Sequence, residues 1–157
     1  MEKHFCEELK KNSNYKIRDF DNALKETFLR MDELLKTDDG QKELRQLKNE
    51  SRDEGFGYQA NSFAGCTANV ALIYNKKELI VANAGDSRSV ISSKGYLVPM
   101  SVDHKPDNEL EKKRILDAGG FVSEGRVNAN LNLSRALGDL EYKQNTKKAP
   151  EEQLIIA

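Results

Sequence analysis

The 157 residues leave room for one domain of ordinary size, able to bury on the order of 70 % of the surface its unfolded chain exposes. Charged residues at 32 % and hydrophobic ones at 38 % make a polar chain, yet its apolar side chains fall into patterned runs that exclude disorder. With 25 basic and 26 acidic side chains the formal charge is -1, which supplies no field for holding nucleic acid or an anionic membrane. The amino terminus, Met1-Glu2-Lys3-His4, opens into a charged helical pattern, not a signal peptide. Phe5 and Leu9, then Phe20, Leu24, Phe28, Met31 and Leu35, recur at helical spacing and predict a helical layer over residues 1–48. Within it Asn12-Ser13-Asn14 has turn chemistry, and Asp19 is the expected N-cap of the long second helix. Thr37-Asp38-Asp39-Gly40 is expected to break that helix before a short charged one through Leu44 and Leu47. Residues 49–64, rich in Gly, Ser and Asn, read as a long surface loop.

The pattern then changes to strands over residues 65–100, at 67–74, 79–84, 89–91 and 96–98. Turns at Asn75-Lys76-Lys77, Gly85-Asp86 and Lys94-Gly95 suggest an antiparallel meander. Runs such as Val70-Ala71-Leu72-Ile73 alternate poorly, as expected of strands covered on both faces. A helix is expected over 108–118, with Leu110 and Ile115 inward and Gly119-Gly120 as its stop. Strand-like pieces at Phe121-Val122, Val127 and residues 131–133 precede Ser134-Arg135-Ala136-Leu137-Gly138-Asp139 and a charged tail ending in Leu154-Ile155-Ile156. Cys6 and Cys66 lie too far apart in the pattern for a disulfide framework or a CxxC site, and are expected to be small buried hydrophobes.

Among residues that carry chemistry, Asp86 stands out, because a carboxylate at a strand end is rigidly placed to hold a hard cation. Ordinary hairpin chemistry explains a Gly-Asp pair equally well. Asp103-His104 joins an acid to an imidazole, but neighbours in an extended segment point apart, so a turn before the helix is the better reading. His4 has no second ligand at i+4 and reads as a surface residue. Phosphate-loop, dinucleotide, serine-hydrolase and zinc-peptidase signatures do not occur.

The order of motifs says more than any one of them. Gly65-Cys66-Thr67-Ala68, Val81-Ala82-Asn83-Ala84-Gly85-Asp86-Ser87-Arg88, Asp103-His104-Lys105-Pro106, Arg114-Ile115 with Ala118-Gly119-Gly120, Arg126-Val127-Asn128 and Ser134-Arg135-Ala136-Leu137-Gly138-Asp139 follow one another with matching gaps. This run closely resembles the metal-dependent type-2C protein serine/threonine phosphatases, the PPM family, most strongly over residues 65–142. The resemblance implies an α+β fold, part of an α-β-β-α sandwich with antiparallel sheets that is incomplete in this chain. It also implies Mg²⁺ or Mn²⁺ as cofactor, a dinuclear pair whose bridging water attacks phosphoserine or phosphothreonine in a phosphoprotein substrate. Asp86 matches the aspartate of an additional, weaker metal site in that family. Residues 101–130 resemble the family's flap beside the cleft and 131–157 its return strands and tail, with Arg126 and Asn128 in packing roles. Arg135 and Asp139 are expected to pair or cap near the cleft without binding metal.

The departures limit this expectation. The family's principal metal carboxylates lie in an Arg-x-x-Met-Glu-Asp strand, an Asp-Gly-His-Gly-Gly turn, an Asp-Gly-x-x-Asp and a final Asp-Asn, none of which occurs here. Arg30-Met31-Asp32-Glu33 sits inside a helical stripe, and Asp39-Gly40-Gln41 is a helix-breaking turn; both are dismissed as ligands. The sequence therefore reads as a central portion of a catalytic domain, residues 1–157, with no catalytic residue of its own and inactive alone. Uncovered sheet edges predict self-association. The alternative is a non-catalytic phosphatase-like module that binds a partner. The expected setting is intracellular, cytoplasmic or nuclear.

Overall fold

The fold was examined in a computed structural model that describes residues 3–50, with side chains to 47, and residues 64–157. Helices come first: α1 (Phe5–Lys11), α2 (Ser13–Lys16), α3 (Phe20–Lys36) and α4 (Asp38–Glu50). Asn12 caps α2 by accepting the Asn14 amide at 2.8 Å, so the expected turn is a single helical turn. Asp19 caps α3 as expected, accepting the Asn22 amide at 3.4 Å. The helix break is one residue long, not four: Thr37 donates its hydroxyl to Leu34 O at 2.7 Å, closing α3, and accepts the Gly40 amide at 3.1 Å, opening α4. Helix α4 continues to Glu50, into the expected loop, whose remainder lies outside the described residues.

The strands are β1 (Gly65–Cys66), β2 (Ala68–Tyr74), β3 (Glu78–Ala84), β4 (Val90–Ser93) and β5 (Tyr96–Pro99). Helix α5 (Glu109–Asp117), β6 (Val122–Ser123), β7 (Arg126–Val127) and β8 (Leu137–Gly138) follow, with short 3-10 turns at Leu140–Tyr142 and Pro150–Glu152. The four ladders are antiparallel, and Arg135 makes an isolated parallel bridge to Ile156; the expected meander is replaced by separate two-stranded ladders, β1-β8, β2-β3, β4-β5 and β6-β7. Strand β3 does not hand over to β4 because Gly85, at φ +111°, turns the chain away and spends its backbone groups on the 102–104 segment. The β2-β3 hairpin runs in register from Ala68 opposite Ala84 to Tyr74 opposite Glu78.

The apolar stripe of α3 makes the main core. Phe5, Leu9, Ala23, Leu24, Phe28 and Met31 pack with Ala68, Ala84 and Leu137, so the helices cover one face of the β2-β3 hairpin. Among the described residues nothing covers the other face: Ile73 is 69 % exposed there, contrary to the expectation of strands buried on both sides. A second, smaller core joins Ile115, Val127, Ala136 and Ile155. Helix α5 ends as expected in a Schellman motif, Gly119 N–H donating to Leu116 O and Gly120 N–H to Ile115 O, both at 2.9 Å. Its inward face differs by one residue from expectation. Ile115 is buried, but Leu110 is 82 % exposed and Glu111 takes the inner position. Cys6 and Cys66 are both exposed, correcting their assignment to the core. Among the described residues no helix is long and apolar enough to cross a membrane.

Candidate functional site

The Gly85–Asp86 turn is fixed from several sides. A Cβ at Gly85 would lie within 2.8 Å of Thr67 Cβ and 3.0 Å of Arg135 O, so the turn is wedged between β2 and the return segment. Ser87 Oγ and Thr67 Oγ1 share a hydrogen bond of 2.8 Å. Asn83 Nδ2 donates to Gly85 O and to Val102 O, each at 2.9 Å. His104 donates its backbone N–H to Gly85 O at 2.9 Å, while the Gly85 N–H donates to His104 Nδ1 at 3.3 Å. Arg88 grips both oxygens of Asp103 at 2.9 Å and holds that carboxyl below its ordinary pKa. Asp86 itself is half-buried and pairs with the Lys105 ammonium. The Asp-His-Lys segment thus runs alongside the Gly-Asp-Ser-Arg turn and ties to it residue by residue.

Asp86 has the character of one hard ligand: a carboxylate on a rigid turn, partly open to solvent. It does not make a metal centre by itself. No group of three or more His, Cys, Asp or Glu side chains that could hold a metal gathers among the described residues. His104 is half-buried with Nδ1 engaged by Gly85, and His4, partly exposed, pairs with Glu43 at 2.8 Å on the helical side. Asp39, Gly40 and Gln41, expected as a helix-breaking turn, lie in the first turn of α4.

Two charged clusters that sequence reasoning missed hold the elements around this turn. Glu111, 3 % exposed, accepts from Arg114 at 2.9 Å and from Arg135 at 3.0 and 2.5 Å. Burial opposes its ionisation, but the two guanidiniums prevail and draw its pKa from 4.5 to about 2. Arg114 also donates to the carbonyls of Ser134 at 2.7 Å, Gln153 at 2.7 Å and Leu154 at 3.0 Å, joining α5 to the return segment and the tail. Arg135, expected to pair or cap with Asp139 near the cleft, pairs with Glu111 on α5. Asp139 adopts φ +47° and lies against Gly65, where burial lifts its pKa despite Lys143 nearby. Arg126 and Asn128, expected to pack, are both exposed: Arg126 donates to Asn130 O at 2.7 Å and Asn128 Oδ1 accepts the Phe121 amide at 3.1 Å.

The other missed cluster is Asp32 with Lys143. Asp32 accepts the Gly138 N–H at 2.8 Å and pairs with Lys143, which donates also to Ala136 O at 2.6 Å. Both side chains are buried. The stripe that identified α3 is the signal that could have found Asp32, since a carboxylate beside Met31 and Phe28 requires a partner.

Comparison with known proteins agrees with the ordered motifs. The model of a family described as Protein phosphatase 2C matches residues 1–157. Protein phosphatase 2C 1 of Paramecium tetraurelia is 64 % identical over 157 residues, covering 100 % of this chain and 50 % of its own length. Protein phosphatase 2C homolog 3 of Schizosaccharomyces pombe is 47 % identical over 149 residues, which is 95 % of this chain and 31 % of that protein. Among solved structures, a phosphatase from Toxoplasma gondii superposes with TM-score 0.60 at 25 % identity, over 98 % of this chain and 56 % of that one. The chain spans about half the length of the curated Paramecium relatives it matches. With the ordered motifs assembled on one fold and the family match running over every residue, the chain belongs to the protein phosphatase 2C family.

Proposed function

We propose that this chain is the portion of a metal-dependent protein serine/threonine phosphatase domain that carries the Gly85–Asp86 turn. The reaction of the whole domain is hydrolysis of phosphoserine or phosphothreonine in phosphoproteins, with Mg²⁺ or Mn²⁺ supplying charge neutralisation and an acidified water. Asp86 contributes one carboxylate to the weaker metal site. The observation that carries the reading is the turn itself, with its family motif pinned at Gly85, Ser87 and Arg88 so that the Asp86 side chain is held at a strand end. No group of three or more His, Cys, Asp or Glu side chains that could hold a metal gathers among the described residues, and the 157-residue chain alone is expected to be inactive.

The lysine paired with Asp86 favours a second reading, a phosphatase-like module that binds without hydrolysis. Two assays of Mn²⁺-dependent phosphothreonine-peptide hydrolysis separate them, one on this chain and one on a chimera in which it replaces the matching half of the Paramecium relative. The proposal expects no turnover from the chain above metal-free and Asp86→Asn controls, and Mn²⁺-dependent turnover from the chimera. A folded but inactive chimera that retains phosphopeptide binding would favour the binding module. Turnover by the chain itself that falls in Asp86→Asn would overturn its expected inactivity.

A further inference from the structure

The turn that carries Asp86 leans on a residue with no ligand role. Gly85 is the hinge of that turn, and both of its backbone polar groups engage the same partner, His104: the carbonyl through the His104 backbone and the amide through the imidazole. A backbone N–H only donates, so the Nδ1 it meets must be an acceptor, which leaves the ring proton on Nε2. The surroundings favour that form: the ring is half-buried and lies near the Arg135 and Arg114 guanidiniums, which together outweigh Glu111 and the Gly85 backbone hydrogen bond acting the other way, so the imidazole pKa is lowered, with burial the largest cause. The neighbours of His104 reach the same turn, Asp103 through Arg88 and Lys105 through Asp86, so the backbone that carries the imidazole is tied to the turn on both sides.

We propose that His104 is a positioning residue, whose neutral imidazole fixes the Gly85 amide and so sets the direction in which Asp86 presents its carboxylate. This rests on the reading of Asp86 as a ligand for its functional meaning, but its structural content stands apart from it. Protonating Nδ1 or removing it leaves the Gly85 N–H without an acceptor between β2 and the return segment, and the turn must then open to water.

The test uses the full 157-residue chain, labelled with ¹⁵N, as wild type, His104→Asn and His104→Leu. The asparagine oxygen stands close to where Nδ1 stands; leucine keeps bulk and removes the acceptor. In the wild type the imidazole nitrogen shifts should report the Nε2–H tautomer, and the Gly85 amide should exchange slowly. His104→Asn should keep that protection within a few-fold, and His104→Leu should lose about tenfold or more, the worth of one buried hydrogen bond, with the β2-β3 amides unchanged. An Nδ1–H tautomer, or Gly85 protection equal in wild type and His104→Leu, overturns the proposal. Should His104→Leu fail to fold, the tautomer together with His104→Asn decides it. Mn²⁺ is added last, with broadening of the Asp86 signals as readout. Broadening in wild type and His104→Asn but not in His104→Leu supports the positioning role, and equal broadening in all three overturns it. No broadening in the wild type counts against Asp86 as a ligand, and the exchange data then decide the role of His104 alone.

Discussion

A side chain at Gly85 meets two separate obstacles, and a pair of substitutions tells them apart. At φ +111° any L-residue is strained, and a Cβ there also drives into Thr67. Gly95, at φ +82° in the β4-β5 turn, has the backbone obstacle without the packing one, since a Cβ there meets nothing within 4 Å. Gly95→Ala is therefore expected to cost about 1 kcal/mol in urea unfolding and Gly85→Ala roughly 2–4 kcal/mol. Equal losses would show that the wedge between β2 and the return segment contributes nothing. Glu111 yields a prediction in pH. Its folded pKa, about 2, lies below the ordinary 4.5, so the folded state binds fewer protons than the unfolded one between those values. The stabilisation is complete above pH 4.5, is lost as pH falls toward 2, and amounts to on the order of 3 kcal/mol at neutral pH. Glu111→Gln should lower stability at pH 7 and flatten the acid limb of a stability profile over that window. A profile unchanged in slope would remove Glu111 from the role of joining α5 to the return segment.

At the scale of elements, α3 is held to the β1-β8 ladder by more than its apolar stripe. Asp32 reaches a backbone amide 106 residues away and an ammonium 111 residues away, and both contacts are out of water. Asp32→Ala should destabilise the chain by about 3–5 kcal/mol, because it leaves the Lys143 charge buried without a partner. Adding Lys143→Met should recover part of that loss, whereas strictly additive losses in the double variant would mean that the two side chains do not interact. This pair also marks the limit of what the sequence discloses. Spacing at 3.6 residues identified the face of α3 that is buried, and it correctly set aside Asp32 as part of a helix; it carries no information on which distant groups meet a carboxylate on that face. The β2-β3 hairpin was legible from its turn at Asn75-Lys76-Lys77 and its flanking apolar runs. The step from β3 to β4 was not, because whether a Gly-Asp pair closes a hairpin or leaves the sheet depends on the segment it then bonds to, here His104. In α5 two helical phases were open to a nine-residue stretch, and the one with Glu111 inward wins because Arg114 and Arg135 turn a buried carboxylate into the centre of a network. The Asp86 turn was found by its family motif. What that motif did not disclose is the strap of Asp103, His104 and Lys105 that holds it.

The molecule as a whole buries one face of its longest hairpin and leaves much apolar surface uncovered. Tyr96 and Leu97 on β5, Val102 beyond it and Ile73 on β2 are each 69 % exposed or more, and Val90 and Val98 add to the β4-β5 side. Among the described residues strands β4 and β5 pair only with each other, so each presents an edge with no described strand beside it. Clustered apolar side chains beside unpaired backbone groups favour strand-to-strand contact between copies, the more so because a formal charge of -1 offers little mutual repulsion. The isolated chain is accordingly expected to associate reversibly, with a weight-average sedimentation coefficient that rises with concentration. Two controls identify the force responsible. Raising the salt concentration screens ion pairs but strengthens or leaves unchanged an association driven by apolar burial. Leu97→Lys with Tyr96→Thr places charge and polarity on β5 without altering the core contacts of α3, and should shift the chain toward monomer while its unfolding midpoint measured at low concentration stays the same. A wild-type chain that sediments as a single monomeric species at every concentration would show that the exposed hairpin is tolerated by water. Association that disappears in high salt would place the contact on charged surfaces instead of on β4 and β5.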